Sequence, residues 1–249
     1  MPRTARPKIR LYTDADLSPG GVISATEPQA HYLLHVMRMA GGGDVCLFNG
    51  RDGEWRASVT VPAKRRADFV VGARLRDQAV EPDVWLAFAP VKRLEYLAEK
   101  ATELGAGALL PVLTRHTDVT RVNIERLRAN AVEAAEQCER LSVPQVHPLQ
   151  TFDAFVNTWP ADRLLYVLDE TGAGTAILEA MEQTQKPCGF LVGPEGGFAQ
   201  SELDALKQLS SARNVSLGPR ILRAETAALA ALACWQALSG DWRASNREG

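Results

Sequence analysis

Leu191-Val-Gly-Pro-Glu-Gly-Gly-Phe198, followed by Leu217-Gly-Pro-Arg-Ile-Leu-Arg-Ala-Glu-Thr-Ala227, is the stretch on which the fold turns. Each run follows a short apolar strand, Phe190 to Val192 in one case and Val215 to Leu217 in the other, and each leads into a helix. In the first run three glycines and a proline favour a tight, exposed turn around Glu195, where missing side chains let a ligand touch the main chain. Ser201-Glu202-Leu203 then opens a helix whose apolar positions Leu203, Leu206 and Leu209 recur at helical spacing. An ordinary strand-turn-helix junction would account for the glycines alone. In the second run Gly218-Pro219 reads as a turn and Glu225 to Leu238 as a helix rich in alanine and leucine, with Glu225 at the end where negative charge is favoured. Apolar residues on almost every side predict that this helix packs between elements or between subunits. That role explains its alanines and leucines, but not Arg220, Arg223 and Glu225 crowded at its entrance.

Upstream of these runs, strands and helices alternate. Val84 to Ala89 and Ala108 to Leu113 read as strands, Arg93 to Leu104 and Asn123 to Arg140 as helices, and Leu164 to Leu168 and Gly189 to Val192 as further strands, which is the pattern of an α/β body with a mostly parallel sheet. Gly105-Ala-Gly107 is not a dinucleotide-binding loop, because it follows a helix and precedes a strand. No GxxxxGK[ST] run supports an ATPase. Nearer the N-terminus, Asp44 to Gly50 and Glu54 to Val61 flank the turn Arg51-Asp52-Gly53 as a hairpin, Ala67 to Leu75 adds a strand, and His31 to Met39 is a short helix ended by Gly41-Gly-Gly43. These fit a small β-barrel. A charged linker from Arg76 to Glu81 and a break at Pro82 divide the chain into domains 1–75 and 76–249.

The 249 residues, 27.1 kDa, carry a net charge of only -2, but the charge is uneven. Residues 1–75 hold eleven Arg and Lys against seven Asp and Glu. A modest RNA-guiding domain has that balance, and so does an ordinary solvated basic face. Arg38, Arg51, Arg56, Lys64, Arg65 and Arg66 are the candidates for phosphate contact, with His31 beside them. In the second domain Arg115, His116, Gln137 and Arg140 sit at strand or helix ends in reach of an RNA; His116 is a base or, on the plainer reading, a hydrogen-bonded structural histidine. His31 and His35 are four apart without a third ligand, and Cys46, Cys138, Cys188 and Cys234 are scattered in apolar or helical contexts that predict buried thiols, so no metal is expected. The basic N-terminus lacks the apolar stretch of a signal peptide and no run is long enough to cross a membrane, which predicts a cytoplasmic protein. The polar tail from Gly240 to Gly249 has little to bury and is expected to fray.

The runs GPEGGF and LGPRILRAETA, together with Glu95 to Gly105 (EYLAEKATELG), Glu133 to Arg140 (EAAEQCER) and His31 to Arg38 (HYLLHVMR), resemble in order those of the ribosomal RNA small subunit methyltransferase E family, within the trefoil-knotted (SPOUT) methyltransferases. The likeness spans almost the whole chain. Met37 and Cys138 depart mildly, standing where the family more often has leucine and serine. The resemblance implies an α/β trefoil-knot methyltransferase domain behind a PUA-like β-barrel, although connection rules make knots rare and periodicity reveals none. It also implies a homodimer that transfers a methyl group from S-adenosylmethionine to N3 of a uridine in 16S ribosomal RNA. The implied cofactor site comprises Leu168, Leu191, Val192, Gly193, Pro194, Glu195, Gly196, Gly197, Leu217, Gly218, Ile221, Leu222, Arg223 and Thr226. Arg223 would stabilise a uracil anion, and Glu195 or Glu225 would take the proton, while an arginine–glutamate ion pair of purely structural kind is the competing reading. A ribose 2′-hydroxyl methyltransferase of the same knotted class and a noncatalytic RNA-binding or assembly protein are the competing functions.

Overall fold

The computed structural model describes residues 6–39, 41–81, 83–119, 121–169, 174–182 and 187–243. Pro82 and the last six residues of the tail lie outside them; Asp241–Arg243 forms a 3-10 turn. The chain divides into two units, one of residues 1–80 with 135–143, the other of residues 81–134 with 144–249.

In the first unit β1 (Arg10–Tyr12), β2 (Val22–Ser24), β3 (Asp44–Phe48), β4 (Glu54–Ala63) and β5 (Arg66–Arg76) form one sheet in the order β1-β3-β4-β5-β2. Among the described residues of this unit only β1 and β3 pair in parallel. Alternation sends Ala57 and Val59 of β4 and Ala67, Phe69 and Val71 of β5 to one face, where they meet Leu33, Val45 and Leu47. Register shifts between β4 and β5 bend the pair. Gly53, at φ +83, turns the hairpin where a Cβ would overlap the Arg76 carbonyl.

The expected helix at His31 begins earlier. α1 (Glu27–His31) is opened by Thr26, whose hydroxyl accepts the Gln29 N–H while the Gln29 side chain accepts the Thr26 N–H, and it widens into a π-helical turn over Tyr32–Val36.

The second unit alternates β6 (Val84–Phe88), α2 (Leu94–Glu103), β7 (Ala108–Leu113), α3 (Ile124–Cys138), β8 (Gln145–Val146), β9 (Gln150–Thr151), α4 (Phe152–Thr158), β10 (Leu164–Leu168), β11 (Thr175–Ala176), α5 (Ile177–Glu182), β12 (Cys188–Val192), α6 (Gln200–Gln208), β13 (Ala212–Ser216) and α7 (Ala224–Leu238). Seven of these strands form a parallel sheet in the order β11-β13-β10-β12-β6-β7-β8, with β9 on β7. Helices cover both faces. Val84, Leu86 and Phe88 of β6 pack with residues of α2, α3, α5 and α7, whereas Ala87 joins Phe152 and Phe155 of α4, Trp159 just past it and Leu206 of α6. That two-sided burial is why β12 reads as an unbroken apolar run.

Helix α3 is divided: it belongs to the second unit only as far as Ala134, and its last turn and the segment to Val143 belong to the first. The reason is Arg10, whose guanidinium donates to the carbonyls of Ala135, Glu136 and Arg140 at 2.7–2.9 Å, taking acceptors that a helix C-terminus leaves open. Arg10 is paired in turn with Glu54, which is fully buried and also accepts from Arg6 and Arg76. Burial pushes the Glu54 carboxyl up, and the hydrogen bonds from Arg6, Arg10 and Arg76 outweigh it and hold the group below its ordinary value. Arg140 therefore sits in the first unit, not in the α/β body. Cys138, expected to be buried, is exposed on the helix's last turn.

Candidate functional site

Strands β12 and β13 flank β10, so Leu168 is in register with Val192 on one side and Val215 on the other. The chain thus crosses over the C-terminal end of β10, and such a crossing is where an open parallel sheet leaves a crevice. A cavity of about 270 Å³ lies there. Leu168 and Asp169, Val192 and Gly193, and Val215 and Ser216 supply its strand-end wall; the Pro194–Phe198 turn and the segment from Leu217 to Ala224 supply the rest, closed by Ala227 on the first turn of α7.

Most of the expected cofactor residues come together in this wall: Leu168, Val192, Gly193, Pro194, Glu195, Gly197, Leu217, Gly218, Ile221, Leu222 and Arg223. Three do not. Leu191 points the other way along its strand, into the core beneath α4 and α6. Gly196 has its back to His116, since a Cβ there would lie 3.1 Å from the His116 Cβ. Thr226 looks into a second groove, with Tyr96, Leu104, Leu229 and Ala233.

Backbone shape explains one of the glycines and close packing another. Gly218 has φ +99, which L side chains rarely adopt, and nothing stands within 4 Å of a Cβ built on it. Gly193 is packed against the Phe198 ring, 3.0 Å from a built Cβ. Ile221 presents an 84% exposed apolar side chain at the mouth.

The two carboxylates separate. Glu195 and Arg223 are exposed and line the cavity; Arg223, just before α7, also lines the second groove, where Glu225 is buried with Arg93 and Tyr96. Behind the turn, Glu202 accepts the Ala199 N–H and the Arg115 N–H, each at 2.8 Å, and His116 Nδ1 lies 3.0 and 3.2 Å from the Gly196 and Gly197 carbonyls.

Arg220, singled out at the entrance of the last helix, lines this wall too, whereas sequence reasoning missed Asp169, Phe198, Val215, Ser216, Ala224 and Ala227. Asp169 was within reach of the strand-end rule, one residue past Leu168. Val215 and Ser216 were not, because only the strand order sets β13 beside β10.

In the first unit a groove runs between the Ser24–His35 segment and the Pro62–Asp68 hairpin, lined by His31, His35, Arg65 and Arg66; the two imidazole rings lie 5.1 Å apart. Arg38 and Lys64 are exposed nearby in sequence. Arg51 is paired with Asp16 and Arg56 with Asp44, each at 2.8 Å, and Arg140 donates to the Ser142 hydroxyl. Among the described residues no group of three His, Cys, Asp or Glu is placed to hold a metal, and no helix is long and apolar enough to cross a membrane.

The chain is similar to known proteins over most of its length. Residues 78–236 match the RNA methyltransferase domain family and residues 25–72 the RNA methyltransferase PUA domain. The ribosomal RNA small subunit methyltransferase E of Rickettsia conorii is 32% identical, over 90% of this chain and 93% of that protein. Its namesake from Synechocystis is 34% identical, over 87% and 73%. The chain belongs to the ribosomal RNA small subunit methyltransferase E family. A crystal structure of such a methyltransferase from Neisseria gonorrhoeae, bound to S-adenosyl methionine, superposes with a TM-score of 0.83 at 27% identity, covering 94% of this chain and 99% of that one. The second unit thus has the parallel α/β fold of that methyltransferase, and the first is PUA-like.

Proposed function

We propose that the protein binds S-adenosylmethionine in the cavity at the ends of β10, β12 and β13 and methylates N3 of a uridine in 16S ribosomal RNA. The observation that carries this reading is the cavity itself, where backbone-rich turns, an apolar lining and the pair Arg223 and Glu195 meet over the strand crossing. The lining fits such a donor. Leu168, Val192, Leu217 and Leu222 offer apolar faces to an adenine ring, and the bare main chain at Gly193 and Gly218 offers peptide groups to its polar edge. Bound there, the donor supplies a methyl group already activated by a positive sulfur.

The chain then has to position and deprotonate the acceptor. N3 must lose its proton before its lone pair attacks the methyl carbon in line with the breaking sulfur–carbon bond. Arg223 holds a cation beside the uracil oxygens, where the negative charge develops, and Glu195 takes the N3 proton. Glu225 faces the other groove and takes no part in this step. The first unit guides the RNA through the His31, His35, Arg65 and Arg66 groove, with Arg38 and Lys64 as further phosphate contacts, while Arg115 contacts RNA from the second unit. A homodimer buries the groove lined by Tyr96 of α2 and Leu229 and Ala233 of α7. This work is done in the cytoplasm, on the small subunit.

The test is to incubate the protein with labelled donor and small subunits that lack their native modifications, then identify the methylated nucleoside by mass spectrometry. N3-methyluridine at one position is expected. A 2′-O-methyl nucleoside would overturn the base reading, and the absence of any product would overturn the enzymatic one.

A further inference from the structure

The turn Thr114–Thr117, just past β7, is stitched to the glycine turn at two points that no step above uses. The turn is itself closed by its threonines: the Thr117 hydroxyl accepts the Thr114 N–H at 3.1 Å, the two hydroxyls are 2.8 Å apart, and the Thr117 N–H donates to the Thr114 carbonyl at 3.2 Å. The first stitch is the buried Glu202 carboxylate, which accepts from Arg115 with one oxygen and from Ala199 with the other. The second is His116. Carbonyl oxygens only accept, so Nδ1 carries the proton that reaches the Gly196 and Gly197 oxygens at 3.0 and 3.2 Å.

We propose that His116 is a positioning residue for the cofactor site, holding the Gly196 and Gly197 carbonyls through its Nδ1–H so that the glycine turn keeps the shape that receives the methyl donor. The peptide is planar, so anchoring each carbonyl on the His116 side aims the following N–H, that of Gly197 or of Phe198, to the opposite side. The Gly197 N–H accordingly donates to the Pro194 carbonyl at 3.0 Å, and both Gly197 and Phe198 line the cavity. Consecutive glycines are the residues with most conformational freedom to lose on binding. A clamp that removes that freedom beforehand raises affinity for the donor without touching it. The inference rests on reading the cavity as the donor site.

The test is a calorimetric titration of the full-length protein with S-adenosylmethionine, for the wild type and for His116→Ala, His116→Gln and His116→Asn. The unfolding midpoint of each protein without ligand is measured alongside. The asparagine amide sits near where Nδ1 stands and the glutamine amide near Nε2. Loss of one modest hydrogen bond predicts donor binding about threefold to tenfold weaker in His116→Ala and His116→Gln. His116→Asn restores binding to within about twofold, and the unliganded midpoints stay together because the side chain is exposed. Equal affinity in the wild type and His116→Ala would overturn the clamp alone. So would His116→Asn failing as badly as His116→Ala, or a turnover defect in His116→Ala with donor affinity intact. A wild type that binds no donor would sink the functional reading and the clamp with it.

Discussion

Replacing Glu54 should destabilise the first unit more than almost any other single change, and the cost can be worked from its surroundings. The carboxylate is fully buried and accepts from Arg10 Nε at 2.7 Å, from Arg6 at 2.7 Å and from Arg76 at 3.0 and 3.1 Å. Removing one partner of a buried ion pair costs about 3–5 kcal/mol, chiefly because the other charge is left behind. Here the stranded group is Arg10, with a side chain 4% exposed, whereas Arg6 keeps Glu139 and Arg76 keeps the Glu139 carbonyl. Arg10 also retains its three carbonyl acceptors at the end of α3. The expected loss for Glu54→Ala is therefore at the lower end, about 3 kcal/mol. Glu54→Gln keeps one acceptor oxygen but turns an amide N–H toward a guanidinium, so about 2 kcal/mol is expected. Because the folded carboxyl is held below its ordinary value, its stabilisation is complete above the unfolded value, about 4.3, and fades as pH falls below that. Glu139 and Asp44, also held low by their arginine partners, add to the same acid loss. Hydrogen exchange read by mass spectrometry on peptides from residues 44–60 and 135–143 measures this locally, at pH 7 and at pH 4. Loss of protection in both segments of Glu54→Ala, with the wild type approaching the variant at low pH, is the expected result. Protection lost from residues 44–60 but kept at 135–143 would refute the argument that Arg10 and Glu54 bind the end of α3 to this unit.

Three further outcomes are expected, two of them at the site. Gly218→Ala places a side chain at φ +99 at a backbone cost of about 1–2 kcal/mol, with no neighbour to clash. That cost must appear as lost stability or as donor binding weakened about fivefold to thirtyfold, so an unmoved unfolding midpoint together with unmoved affinity would contradict it. Single-turnover methylation should fall about a hundredfold or more in Glu195→Gln and in Arg223→Ala, and by less than about tenfold in Glu225→Gln; the reverse ranking of the carboxylates would exchange their roles. Ellman's reagent should titrate Cys138 first among the four thiols, because burial pushes Cys46 up to about 11 and Cys188 up to about 12; a fast reaction surviving Cys138→Ser would contradict the exposures.

What the sequence made legible follows from the range of the forces involved. Strands β7 and β10 carry contiguous apolar runs bounded by glycine or polar turns, and their limits come out to the residue, Ala108–Leu113 and Leu164–Leu168. The cavity's two turns are legible for the same reason, since glycine and proline act on their own φ and ψ. The capping box at Thr26 and Gln29 was equally local, and attention to it would have placed α1 four residues earlier. What stays hidden is set by partners distant in sequence. Nothing near Arg10 says that its guanidinium will cap a helix more than a hundred residues away, so the last turn of α3 reads as part of the α/β body when it belongs to the other unit. Glu225 and Glu195 pose the same problem on a smaller scale. Both are acidic residues beside glycine-rich or arginine-rich runs, and local pattern ranks them alike. They part only because Arg223 is the last residue before α7, so that Glu225 turns with the first helical residues toward Tyr96 while Glu195 stays on the loop. The assignment of a proton acceptor here thus depends on where one helix begins, and on α2 lying beside it, more than on which residue types stand near the glycines.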